Sequence, residues 1–230
     1  LMSDRPDRSG LSYRRKSDDL RNIWPFEFGL TKNGITMQRS MIYGQKLHLA
    51  LHEPDLYVSD NDDFDSLPIP FRAVATDIGT GKAVVIGRGD LALSITASMA
   101  IPGVFSPTRL DGRVLVDGGI TNNLPMDVAR GMGADVLIVV DISTPLHPPE
   151  ALSNPLIITD QLTSIMTRSN TERNLATLSS RDILIVPDLD DITSLDFERS
   201  QDAEAKGYRA ADAIRSRLAA VSLSTGDYQR

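Results

Sequence analysis

The chain has 230 residues, 41% of them hydrophobic, which is enough apolar material for one packed domain or a large part of one. It carries 24 basic and 31 acidic residues, a net charge of −7, and few aromatics, a balance that argues against nucleic acid as a partner. It contains no cysteine, which excludes disulfides, thiolate metal sites and a thiol nucleophile and suits the cytoplasm and the cell envelope alike.

Residues 1–66 read as an irregular N-terminal segment. Near its start Arg5, Arg8, Arg14, Arg15, Lys16 and Arg21 outnumber Asp4, Asp7, Asp18 and Asp19, and Trp24, Phe26 and Phe28 follow. The plain reading of that charge is a solvated face; the functional one is a lid that contacts anionic lipid at a membrane surface. Apolar positions at Met41, Ile42, Leu47, Leu49 and Leu51 predict a helix over 40–52. His48 and His52 stand i, i+4 on it, a zinc-like spacing, but the H-E-x-x-H order and a third ligand are missing.

Residues 67–223 follow an α/β grammar, and 224–230 read as a frayed tail. A strand over 71–78 and a second over 83–86 flank Gly79-Thr80-Gly81-Lys82. That turn has the look of a phosphate loop but lacks its spacing and its Ser or Thr, so a hairpin explains it better. A helix over 91–100 has Asp90 as cap and Pro102-Gly103 as terminator. Strands over 104–110 and 113–116 flank Asp111-Gly112, a hairpin signal. A short helix over 125–132 has Asn123 as candidate cap. The apolar run 136–140 predicts a buried parallel strand. A helix over 155–178, a strand over 183–186 and an amphipathic helix over 199–218 complete the series. Alternating strands and helices imply a mostly parallel sheet covered by helices on both faces. No apolar run approaches the ~20 residues that span a bilayer.

Asp117 is the strongest candidate for chemistry. It closes the apolar run Val114-Leu115-Val116 and is followed by Gly118 and Gly119. A carboxylate at the C-terminal end of a strand, on a glycine turn, stands where open α/β sheets carry their sites. The glycines suit positive φ and close approach of a substrate. A capped tight turn is the plain alternative.

Four ordered blocks extend this motif: Phe71-Arg72-Ala73-Val74-Ala75-Thr76-Asp77; Ala97-Ser98-Met99-Ala100-Ile101-Pro102-Gly103-Val104-Phe105; Val116-Asp117-Gly118-Gly119 with Asn122-Asn123-Leu124-Pro125; and Gly133-Ala134-Asp135-Val136. Together they resemble the second half of a patatin-like phospholipase domain, most specifically over 60–143 and more weakly, in bacterial members, over the flanks. The resemblance implies a lipid acyl hydrolase working by a Ser-Asp dyad, with Asp117 its aspartate, a lipid or phospholipid substrate, and no metal or organic cofactor. The family's nucleophile lies in G-x-S-x-G upstream of the aspartate, and no G-x-S-x-G occurs in these residues. The expectation is therefore an incomplete patatin-like fold, inactive alone, that self-associates or pairs with its own upstream half. Catalytic loss, leaving a lipid- or protein-binding module, is the alternative; a metal-dependent hydrolase built on His48 and His52 is a weaker third.

The remaining candidates divide by chemistry. A carboxylate serves as base when burial raises its pKa, which the apolar run before Asp117 favours. Ser98 is a poor rival nucleophile, because it falls near the C-terminal end of a helix, where the dipole opposes a developing oxyanion. It is expected to pack near the site or to bond its own helix. Asn122 and Asn123 read first as structural residues. Gly118 and Gly119 are candidate substrate-contacting positions, as are Pro102 and Phe105, for which core packing is an equal reading to an acyl pocket.

Overall fold

The computed structural model describes residues 28–31, 34–37, 63–143, 145–153, 155–190, 192–193 and 196–222. The predicted helix over 40–52 with His48 and His52, the basic stretch around Arg14, and the tail over 224–230 lie outside the described residues. The chain divides into two compact units, Leu1–Gly118 and Gly119–Arg230.

In the first unit β1 (Phe28–Thr31) and β2 (Gly34–Met37) form an antiparallel hairpin. A four-stranded sheet follows, made by β3 (Ala73–Asp77), β4 (Lys82–Ile86), β5 (Thr108–Leu110) and β6 (Arg113–Asp117) in the order β4-β3-β6-β5. All its pairings are antiparallel. The β3–β4 turn is held by the Asp77 carboxylate, which accepts from the Gly79 N–H at 2.9 Å and the Thr80 hydroxyl at 2.9 Å, and Gly81 takes φ +67°. In the β5–β6 turn Asp111 (φ 48°) and Gly112 (φ 74°) both occupy the left-handed region that a two-residue hairpin loop needs.

One helix, α1 (Leu91–Ser98), packs against β3, β5 and β6. Asp90 caps it as expected, accepting from the Leu93 N–H at 2.8 Å. The core beneath consists of Phe64, Ala73, Ala75, Ile86, Ala97 and Leu115, joined at its margin by Phe71. The small residues on β3 let α1 approach closely. Phe64 and Phe71 fill the remaining volume with rings 5.9 Å apart, tilted by 50°.

The second unit holds the short helices α2 (Gly119–Asn122) and α3 (Met126–Gly131), then β7 (Ile138–Val140), the long helix α4 (Pro155–Leu175), and β8 (Ile183–Ile185). β7 and β8 pair in parallel, as the long connection through α4 allows. Leu124, Met126, Leu137 and Val139 form the core, backed by Leu175, Leu178 and Leu184. The helix expected over 199–218 is two helices, α5 (Ser200–Asp212) and α6 (Arg215–Ala220), with Ile214 leaving helical geometry between them at φ −117° and ψ 22°.

The expected mostly parallel sheet covered on both faces is not what forms. The larger sheet is antiparallel, and β7–β8 is a parallel pair of two strands. Turns of two to four residues can only return a strand antiparallel; parallel neighbours need a crossover. β3 is buried along its whole length, so it mimics the apolar run of a parallel strand. β7 departs from expectation too: Val139 is buried, whereas Ile138 is 54% and Val140 46% exposed. Among the described residues of the first unit α1 is the one α-helix.

Asp182 staples the second unit. Its carboxylate accepts from the Ser179 N–H at 2.7 Å, the Leu137 N–H at 2.8 Å, the Ser179 hydroxyl at 2.7 Å and the Arg130 guanidinium at 2.6 Å. The side chain is fully buried. These donors, the Ser179 and Leu137 amides first, hold its pKa well below the ordinary carboxylate range. A carboxylate depressed in the folded state stabilises fully above its unfolded pKa of about 4, and that contribution fades as pH falls toward the lower folded value. We predict that Asp182→Asn lowers the melting temperature by several degrees at pH 7. The gap should close between about pH 5 and pH 2; melting curves across that range check it, and a constant gap would contradict the assignment.

Candidate active site

β6 forms because Val114-Leu115-Val116 is β-branched and apolar and follows a tight turn. Its ladder with β3 runs Asp77↔Leu115, Thr76↔Val116 and Ala75↔Asp117, and stops there. Alternation along the strand puts Asp117 on the same face as Leu115 and Ala75, the face that α1 covers. Asp117 therefore lies at the margin of the first unit's core and is half-buried.

Its main chain is held from two sides. The Asp117 N–H donates to the Ala100 carbonyl at 3.0 Å, just past the end of α1. The Asp117 carbonyl accepts from the buried Thr76 hydroxyl at 2.8 Å. The next residue, Gly118, donates its N–H to the Ser98 carbonyl at 3.3 Å. A strand end that would otherwise fray is thus pinned at consecutive residues.

The need for glycine at 118 comes from contact, not conformation. Positive φ occurs at Gly81, Gly89, Gly103, Gly112 and Gly133; neither Gly118 nor Gly119 has it. A Cβ on Gly118 would lie 2.1 Å from the Val74 carbonyl oxygen and 2.7 Å from its carbon, closer than any side chain can sit. The expectation of a positive-φ turn is corrected accordingly. Gly119 is buried and opens α2.

Ser98 ends α1, as expected from the sequence, but its hydroxyl does not bond its own helix. It donates across to the Val74 carbonyl at 2.7 Å. Pro102 is half-buried in the turn that follows, where Gly103 takes φ 84°, and Phe105 is buried at 7% exposure. This loop leaves directly from Ala100, whose carbonyl holds Asp117.

In the second unit the residues that follow the motif are gripped by α4. The Asn170 side-chain amide donates to the Gly119 carbonyl at 2.7 Å and the Ile120 carbonyl at 3.2 Å, while its oxygen accepts from the Asn123 N–H at 2.7 Å. Asn123 donates to the Thr171 hydroxyl at 2.9 Å, and Asn174 donates to Asn122 and to the Leu124 carbonyl, both at 2.8 Å. Asn122 and Asn123 are thus structural, but they bind α4 instead of capping α3, whose cap is Pro125. Sequence reading missed Asn170, Thr171 and Asn174. Their signal was polar residues at i, i+1 and i+4 in a helix, of which Asn170 and Thr171 are only 3% exposed.

His147 pairs with Asp160 at 2.7 Å, and Gln161 bonds both main-chain groups of His147, which fastens the loop after β7 to the start of α4. Among the described residues no three His, Cys, Asp or Glu side chains cluster as metal ligands, and no helix is long and apolar enough to cross a membrane.

The model of the patatin-like phospholipase family matches residues 10–130, more than half of the chain. The chain belongs to the patatin-like phospholipase family. An uncharacterized NTE family protein of Mycobacterium tuberculosis is 44% identical over 98 residues, 43% of this chain and 27% of that protein. Patatin-like phospholipase domain-containing protein 7 of Mus musculus is 42% identical over 82 residues, 35% of this chain and 6% of that protein. The human domain-containing protein 6 is 35% identical over 107 residues, 46% of this chain and 8% of that protein. The chain thus spans about a quarter of the mycobacterial relative and less than a tenth of the mammalian ones. The family match begins at residue 10, well upstream of the 60–143 stretch in which the motifs are densest.

The contact at Gly118 yields a matched pair of variants. Gly118→Ala should destabilise on the order of 1–3 kcal/mol, since backbone must move to admit the methyl group. Gly131→Ala, where a Cβ meets nothing within 4 Å at the end of α3, should be neutral or stabilise by about 0.5 kcal/mol. Chemical denaturation of both checks it, and equal midpoints would contradict the close approach.

Proposed function

We propose that the domain to which this chain belongs is a lipid acyl hydrolase in which Asp117 orients and deprotonates a serine nucleophile. The observation that carries the proposal is a half-buried carboxylate at a strand end whose main chain is bonded on both sides, in a chain of the patatin-like phospholipase family. The 230 residues contain no G-x-S-x-G, so the serine would come from sequence outside them.

The chemistry follows from the weakness of a hydroxyl nucleophile. The serine oxygen attacks the ester carbonyl while its proton passes to the Asp117 carboxylate. The tetrahedral intermediate collapses, the proton goes to the departing alkoxide, and an acyl-serine remains. Water then attacks the acyl group, again losing its proton toward Asp117; the bond to the serine oxygen breaks, that oxygen takes the proton back, and the fatty acid leaves. Asp117 can serve because its strand end is fixed before substrate arrives, which removes orientational freedom from the transition state. Gly118 and Gly119 would offer a surface without side chains for close approach. Pro102 and Phe105, on the loop leaving Ala100, would flank the acyl chain. The substrate class is an ester of a glycerophospholipid or related lipid, and the reaction calls on no metal or organic cofactor.

The absent nucleophile motif favours one other reading, a lipid-binding module of the same family without catalysis. One experiment separates the two. In the full-length protein, Asp117→Asn should reduce turnover of a chromogenic fatty-acid ester by about 10²–10⁴-fold with an unchanged melting curve. The isolated 230-residue chain should not turn the ester over at all. Near-normal turnover by the Asn variant would overturn the role of Asp117, and a full-length protein inert from the outset would favour the binding module.

A further inference from the structure

We infer that Ser98 is a positioning residue of this site, acting as a surrogate rung where the sheet ends. The inference rests on the reading of Asp117 as the reacting carboxylate.

The β3–β6 ladder stops at Ala75↔Asp117. One residue further along, the Val74 carbonyl and the Gly118 N–H are left without that ladder. The two residues remain in contact, as the 2.1 Å separation of a Gly118 Cβ from the Val74 oxygen demonstrates. They do not bond each other; Ser98 takes both. Its hydroxyl donates to the Val74 carbonyl at 2.7 Å, and its own carbonyl accepts from the Gly118 N–H at 3.3 Å. One residue at the C-terminal end of α1 thus replaces one rung, through its side chain on one strand and its main chain on the other.

This has a directional consequence. A direct Val74–Gly118 rung would carry β6 onward as a strand and keep Asp117 in the interior of the ladder. By bonding both groups from the side, Ser98 lets the chain turn away at Gly118 while the Val74 carbonyl and the Gly118 N–H each keep a partner. The same residue that pins Gly118 also fixes the carbonyl against which Gly118 packs. Asp117, immediately before it, is held by Ala100, two residues past Ser98. The α1 terminus therefore sets where the Asp117 strand ends and at what angle.

The effect should fall on kcat and leave substrate affinity alone, because Ser98 acts on Asp117 through main chain. The test uses the full-length protein, with kcat measured per site titrated by a fluorophosphonate, so that unfolded molecules do not count. Ser98→Ala should lower kcat per titrated site roughly 10-fold, the scale of one hydrogen bond, with KM unchanged and the acidic limb of the pH–rate profile displaced. Ser98→Thr, which keeps the hydroxyl, should restore most of the loss. If Ser98→Ala does not fold, Ser98→Cys carries the test, since the thiol has nearly the same size but donates weakly: reduced kcat with unchanged KM supports the inference and wild-type kcat overturns it. A lower melting temperature with unchanged kcat per site would reduce Ser98 to a packing residue and overturn the inference. Fluorophosphonate found on Ser98 itself would make it the nucleophile and equally overturn it. Full activity in Asp117→Asn would instead remove the underlying reading of Asp117, and the inference with it, a result distinct from silence at Ser98 alone.

Discussion

The contact between Gly118 and the Val74 carbonyl is the constraint on which the end of the first unit depends. It allows β6 to stop beside β3 without either continuing the ladder or separating from it. No residue larger than glycine fits, because the obstacle is a backbone carbonyl inside a strand that is buried throughout. Side chains can often yield a few tenths of an ångström, but the main chain of a central strand cannot without breaking its pairing to β4. Main-chain contacts around Asp117 gather at that packing. Thr76 reaches its carbonyl, Ala100 receives its N–H, and Ser98 occupies the groups that the missing rung would have joined.

The second unit solves a comparable problem with side chains. Its parallel pair is short and its connecting segments are long, so many main-chain groups fall outside any ladder. Asn170 and Asn174 on α4 supply the missing partners for the stretch after Gly119, and Asp182 does the same for the residues around Leu137 and Ser179. Such buried amides and carboxylates are favourable only when each of their groups is used. Asn170 meets that condition, with its amide shared among three carbonyls and its oxygen taking the Asn123 N–H.

What the sequence made legible was local. Asp90 as a helix cap, Asp111-Gly112 as a two-residue loop, and the hairpin at Gly79–Lys82 each involve residues within a few positions of one another, and each forms. Sheet direction was not legible. It depends on pairing between β3 and β6, about forty residues apart, and a strand buried on both faces has the same composition whether its neighbours are parallel or antiparallel. Asp117 was singled out by its place between an apolar strand and two glycines together with the four ordered blocks around it, since the strand-end pattern alone fits a capped turn equally well. The reason for the first glycine could not, since Gly-x and x-Gly turns look alike in sequence whether φ or a distant carbonyl imposes them. Ser98 was legible as a helix end, and its true partner, twenty-four residues back in β3, was not.

The Asp117 main chain is bonded through both its N–H and its carbonyl, and this bears on how a carboxylate at a strand end is aimed. Donors aimed at a carboxylate stabilise its charged form and depress its pKa, as the amides around Asp182 do. Fixing the direction of a side chain is a separate requirement. Bonding the backbone on either side achieves direction through covalent geometry, since the side chain has few rotors and its Cα is already placed. Asp182 is thus committed to holding structure by surrounding its charge with donors, whereas the main chain of Asp117 is fixed at the margin of an apolar core.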